Sequence, residues 1–322
     1  MLQFDIHIPN QKKRAALEEH LQPFESLGVL RDIALHMAIV QQTSKPEIQD
    51  PALLVFAGDH GFVKELGGQS SIWESLTPHS LLSRSVSSSL LRLRIIDAGL
   101  YAPMDNMVDF WLYRGSKFIP KKIQSGTNDI THEAAMTTSE CHAAIAAGAG
   151  IVEREFYAGC NIVALSDMGM GTLESARVVN AALLDLPLIR FLPTASKNTA
   201  LSRRLQRALN RHPTTGDPIM NLTLFGGYEL AMLTGAILQA AQRSMTILLD
   251  GCVALTALHL AAIMHPEVVH YALIAQQSDE PIYSIISEKY RLKTIMHAGI
   301  EKRDGVGAAL AFPMLRYGVN LF

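Results

Sequence analysis

Residues 52–61 read Ala-Leu-Leu-Val-Phe-Ala-Gly-Asp-His-Gly, and residues 161–171 read Asn-Ile-Val-Ala-Leu-Ser-Asp-Met-Gly-Met-Gly. Each is a short apolar run that ends in small or acidic residues and then opens a helical pattern. The unit recurs where Arg94 to Ile96 meets Asp97-Ala98-Gly99, where Thr246 to Leu249 meets Asp250-Gly251, and where Val269 to Ile274 meets Ala275-Gln276-Gln277-Ser278. Near-continuous apolar strands alternating with helices predict an α/β fold, a parallel sheet with helices on both faces. The polar loops then gather at the carboxyl edge of the sheet, the place where open α/β sheets bind ligands.

Around these strands, Thr137 precedes Glu140 at capping-box spacing and opens a segment rich in Ala and Gly, Ala143 to Ile151, that permits close helix packing. Gly227 to Arg243 reads as a second helix of small residues, with Leu230, Leu233, Ile237 and Ala241 at helical intervals. Helical stretches at Gln11 to Gln22, Leu30 to Gln42 and Gly307 to Leu321, the last interrupted by Pro313, fall outside the alternation. They are expected to pair as a small helical lobe, residues 1–44 with 291–322, beside a large domain of residues 45–290. No solenoid repeat or low-complexity tract divides the chain.

A 48% hydrophobic and 18% charged composition excludes a disordered or linker-dominated chain. With 28 basic against 30 acidic residues, no global field draws the protein to nucleic acid or anionic lipid, so neither is expected as a partner. Cys141, Cys160 and Cys252 lie far apart, which suits free thiols in a reducing compartment. The first 20 residues show no apolar signal region. Met245 to His265 is apolar enough to suggest a membrane helix, but Asp250-Gly251 interrupts it, and a buried strand feeding a buried helix accounts for it.

Several groups have two readings. Gly169-x-Gly171 is a phosphate-holding turn at a helix start or a plain strand-to-helix turn; it lacks the third glycine of a dinucleotide fingerprint. Asp304, ahead of Gly305-Val306-Gly307, orients or deprotonates a ligand, or simply caps a helix. Asp59-His60, with Asp97, is a metal or acid–base group, or a turn that holds its own backbone; no metal-ligand spacing accompanies it, and no metal or cofactor is expected. Ser278 before Asp279-Glu280-Pro281 binds an anion or makes an ordinary turn.

Taken in order, Val55 to Gly61, Asp97-Ala98-Gly99, Gly126-Thr127 followed by Ala135-Met136-Thr137, Asp167 to Gly171, Gly226 to Glu229, Leu249-Asp250-Gly251 and Gly305 to Ala311 resemble the nicotinate-nucleotide:dimethylbenzimidazole phosphoribosyltransferase family. The resemblance spans most of the chain. It implies a Rossmann-like sheet with a small helical lobe, and a cytoplasmic homodimer. The implied reaction moves phosphoribose from nicotinate mononucleotide to dimethylbenzimidazole or a related aromatic base, giving the α-riboside phosphate of the cobamide lower ligand. The family's catalytic Glu corresponds to Asp304. Asp167, Gly169, Gly171, Arg204 and Ser278 are expected around the ribose phosphate, and Ser70 and His79 around the base.

The departures from the family are local. Asp304 and Asp167 each stand where the family has Glu, one methylene or about 1.5 Å shorter. Thr172-Leu173-Glu174 replaces Asn-Thr-Thr, so an anion at Glu174 is expected to compete for the helix terminus. The family's glycine-rich segment is LPTASKN here, at residues 192–198, and the loop holding Ser278 has lost two histidines. The alternative these changes raise is a non-catalytic or altered-specificity paralogue that binds a nucleotide, a base or a partner protein.

Overall fold

Among the described residues seven strands form one sheet: β1 (Ala52–Gly58), β2 (Arg92–Gly99), β3 (Lys117–Pro120), β4 (Ile162–Met168), β5 (Thr246–Leu249), β6 (Ala272–Gln276) and β7 (Thr294–Met296). Their order is β3-β2-β1-β4-β5-β6-β7 and every pairing is parallel. This computed structural model describes residues 3–10, 14–64, 75, 77, 79–102, 116–197, 199–212, 215–300 and 304–322. Because the order reverses between β1 and β4, the loops leaving those two strands diverge and open a crevice at the carboxyl edge.

The strands are apolar on both sides because both faces are covered. In β1, Leu54 and Phe56 enter one core while Leu53, Val55 and Ala57 enter the other; β4, β5 and β6 divide in the same way. One face is covered by α2 (Val29–Val40), α4 (Leu81–Ser89) and α12 (Val306–Val319). Against the other lie α5 (Thr138–Tyr157), α6 (Thr172–Leu183), α9 (Tyr228–Gln242), α10 (Cys252–Met264) and α11 (Pro281–Tyr290). The other helices of the described residues are α1 (Arg14–His20), α3 (Gly61–Lys64), α7 (Ala200–Arg211) and α8 (Pro218–Phe225).

The capping box forms: Glu140 N donates to Thr137 Oγ1 at 3.2 Å and Thr137 N donates to Glu140 Oε2 at 2.8 Å. The small-residue helices α5 and α9 cross at backbone contact. A Cβ on Gly148 would stand 1.9 Å from the Met232 carbonyl oxygen, and one on Gly235 would stand 2.0 Å from that of Ile145. The apolar stretch at 245–265 is β5 followed by buried α10, and no helix of the described residues is long and apolar enough to cross a membrane.

One local expectation changes. Pro313 does not interrupt the C-terminal helix, which runs unbroken from Val306 to Val319. A proline removes one helical hydrogen bond, but buried Ala311, Phe312 and Leu315 on both sides of it lock the helix onto the sheet. The terminal segments pack on each other, with Gly318 pressed against Ile33, and both also pack on the sheet face. The sheet itself continues past residue 290 through β7.

Candidate functional site

The helices divide by how they begin. Helices α4, α5, α7 and α8 are capped by their own side chains, those of Ser80, Thr137, Thr199 and Asp217. Helices α6, α9, α10 and α12 have Gly171, Gly227, Gly251 and Gly305 at that position and no side-chain cap, and α2, after Gly28, and α11, after Glu280, also lack one. A helix start without a side-chain cap presents bare N–H groups and the positive end of the dipole. The rim is therefore rich in donors that other groups must satisfy.

At the β1 side the donors of the rim loops are satisfied internally. Asp59 Oδ1 accepts from Met170 N at 3.0 Å and Oδ2 from Tyr101 N at 2.9 Å, while Thr127 N donates to the Asp59 carbonyl at 3.0 Å. Asp59 thus clasps the loops after β1, β2 and β4. Next to it, buried His60 Nε2 donates to Glu229 Oε1 at 2.8 Å. Asp97 accepts from Leu100 N at 3.0 Å and lies 3.4 Å from Lys122; burial raises its carboxyl above the usual range against those two partners. Among the described residues no group of three His, Cys, Asp or Glu is placed to hold a metal.

Gly169 and Gly171 have packing work to do. A Cβ on Gly169 would lie 1.8 Å from the Gly58 carbonyl oxygen, and both glycines have positive φ, at 133° and 82°. Glu174, in the first turn of α6, lies 3.4 Å from Arg177, whose guanidinium also holds Glu280 at 2.7 Å. The expected competition at the helix terminus is therefore answered within the protein by a cation the sequence reading passed over.

Across the ends of β5, β6 and β7 the rim opens into a cavity of about 450 Å³, lined among others by Pro193, Asp250, Gly251, Gln276, Ser278 and His297. Asp167, buried at the end of β4, faces Gly251: a Cβ there would stand 3.6 Å from Asp167 Oδ1. Ser278 Oγ accepts from Glu280 N at 3.2 Å and lies 3.9 Å from Cys252 Sγ. Asp304 is buried, and Ser75 Oγ donates to its Oδ2 at 2.8 Å. Asp250, fully buried between cavity and helix, accepts from Ala308 N at 3.0 Å. Burial pushes its carboxyl up to about 6, and the charge of Asp304 adds to the rise.

The expected site residues are thus distributed unevenly. Asp167, Ser278 and Asp304 come to one stretch of the rim, with Gly169 and Gly171 at its β1 border. Arg204 instead pairs with Asp129 at 3.2 Å and Thr131 Oγ1 at 3.3 Å, at the loop that packs on Gly61. His79 is exposed in the turn before α4, and Ser70 lies outside the described residues. Asp250 and Arg177 were missed. The signal for Asp250 was available in part, since a helix that opens on Gly305 needs its cap from elsewhere.

The profile of the family described as phosphoribosyltransferase (DBI_PRT) matches residues 7–322. Among curated relatives, the nicotinate-nucleotide–dimethylbenzimidazole phosphoribosyltransferase of Photobacterium profundum is 32% identical, over 96% of this chain and 92% of its own length. The protein of the same name from Bacteroides fragilis is 30% identical over 100% and 95%. A crystal structure of the Thermus thermophilus protein of that name superposes with a TM-score of 0.83 at 25% identity, covering 97% of this chain and 96% of the other.

Proposed function

This chain belongs to the nicotinate-nucleotide–dimethylbenzimidazole phosphoribosyltransferase family, and from that premise we propose that it is a pentosyltransferase moving phosphoribose from nicotinate mononucleotide to an aromatic base. The base is dimethylbenzimidazole or a related azole, and the product is the α-riboside phosphate used as a cobamide lower ligand. The observation that carries the reading is the position of Asp250 and Ser278 in the lining of the rim cavity, with Asp167 beside the adjoining Gly251 and Asp304 close enough to Asp250 for its charge to raise that carboxyl.

The chemistry asks little of an acid. An azole nitrogen forms a bond to the ribose anomeric carbon as that carbon's bond to the pyridinium nitrogen breaks. The pair from the broken bond returns to nicotinate, which leaves without being protonated. The azole N–H proton then needs an acceptor, the role of Asp304, whose Oδ2 is oriented by Ser75. Gly169, Gly171, the donors at the start of α10 and Ser278 are assigned to the sugar phosphate, with Asp167 beside them. Arg204 requires release from Asp129 to join them. Ser70 and His79 are assigned to the base. Free, buried Cys141, Cys160 and Cys252 accord with a cytoplasmic setting, and the exposed Ala143, Ala146 and Gly150 of α5 are assigned to a homodimer face, which sedimentation would test.

The direct test incubates the protein with nicotinate mononucleotide and a panel of aromatic bases. Nicotinate is released and a riboside phosphate appears with at least one base; no release with any base overturns the reading. The shortened acid at 304 favours a second reading, a paralogue that binds without turnover. Calorimetry showing tight binding with no release supports it, and turnover gained in Asp304→Glu identifies one methylene as the obstacle.

A further inference from the structure

Helix α12 begins with Gly305 in the left-handed region, at φ 93°, and a glycine has no side chain with which to cap the N–H groups that follow. Those groups are satisfied from 58 residues earlier in the chain. Asp250 Oδ2 accepts from Ala308 N at 3.0 Å, and the same carboxylate accepts from Gly307 N. The approach is close: a Cβ on Gly307 would stand 2.3 Å from Asp250 Oδ1 and 2.7 Å from Gln276 Nε2. Gln276 in turn donates to the Ile300 carbonyl at 3.0 Å, fixing the other end of the segment that leads to Asp304. Gly305 itself presses on Leu53 and Val55 of β1.

We propose that Asp250 is the positioning residue for Asp304, capping α12 across the fold so that the turn carrying Asp304 is held against the ends of β5 and β6. This rests on the reading of Asp304 as proton acceptor. Its charge has a second consequence. Asp250 is fully buried and feels the like charge of Asp304, so a proton taken up by Asp304 relieves that repulsion. The groups facing Asp250 are Asp304 before α12, the Gly307 and Ala308 amides, and the Gln276 amide of β6. Asp167 of β4 faces the adjoining Gly251, and Cys252, Glu280 and His297 line the same cavity.

Asp250→Asn keeps the side chain's size and one acceptor but loses the charge, and turns an amide N–H₂ toward the Gly307 N–H. Nicotinate release by this variant is expected to show kcat lowered by roughly ten- to a hundredfold, with KM for nicotinate mononucleotide within about threefold. The acid limb of its pH profile shifts relative to the unsubstituted protein. A role limited to stability would lower the folded fraction and leave kcat per folded molecule and its pH profile unchanged, and that result overturns the proposal. Gly307→Ala, which drives a methyl into the same carboxylate, is expected to reproduce the kcat loss should Asp250→Asn not fold. Amide exchange separates this proposal from the assignment of activity. If the unsubstituted protein releases no nicotinate, the transferase reading falls by itself. Faster exchange at Gly307 and Ala308 in the variant still supports the cap, and unchanged protection there overturns it.

Discussion

Asp304 illustrates how much depends on a single carboxylate. Asp304→Asn removes the proton acceptor while keeping its shape, so nicotinate release is expected to fall by roughly 10²–10⁴-fold with substrate affinity, read by calorimetry, little changed. Two other buried groups make folding depend on pH in opposite senses. His259 is buried against Asn180, its Nδ1–H donating to Asn180 Oδ1 at 3.0 Å, and burial, helped by Lys289, lowers it to about 4. Its folded value lies below the usual 6.5, so the stability it carries is complete above pH 6.5 and is lost as pH falls toward 4. Asp250 lies on the other side of its reference, raised from 3.8 to about 6, so the fold favours its protonated form and stability falls as pH rises through that interval. Chemical denaturation at pH 4.5 and 7 is expected to show a smaller acid loss in His259→Gln than in the unsubstituted protein, and a larger one in Asp250→Asn. The size of each difference is on the order of 2 kcal/mol.

Among the elements, the α5–α9 crossing depends most on a residue type. Gly148→Ala and Gly235→Ala each place a methyl within 2.0 Å of a main-chain carbonyl oxygen, which no rotamer change can relieve. Either is expected to cost about 3 kcal/mol or more in a urea titration, at the upper end of overpacking losses. Thr137→Ala, which removes half of the capping box, should cost about 1 kcal/mol in the same measurement. Both features were legible in the sequence because capping and close packing are local: Thr137 and Glu140 are three residues apart, and the Ala and Gly of α5 are contiguous. The rim helices were legible only in part. Their glycine starts are visible in the sequence, but what satisfies the exposed donors is not. The edge strands β3 and β7 were not read at all, being only four and three residues long and incompletely buried.

For the whole molecule, a cavity bordered by the ends of β5 and β6 couples ligand binding to the stability of the entire sheet. Nicotinate mononucleotide at a hundred times its dissociation constant is expected to stabilise the fold by about 2.7 kcal/mol, seen as a raised melting temperature; no rise at saturating concentration counts against the site. The sequence alone determined the alternation of strand and helix, the parallel sheet, the loops that gather at its carboxyl edge and the family to which the chain belongs. Those follow from apolar runs and short motifs, whose physics is contained in a few neighbouring residues. Only the tertiary structure decided that Asp250 caps α12, that Arg177 is shared by Glu174 and Glu280, that Arg204 pairs with Asp129 and that His60 meets Glu229. All but the Arg177–Glu174 pair join residues between 58 and 169 positions apart. A buried charge is satisfied by whatever partner the fold carries to it, and separation along the chain does not encode that partner.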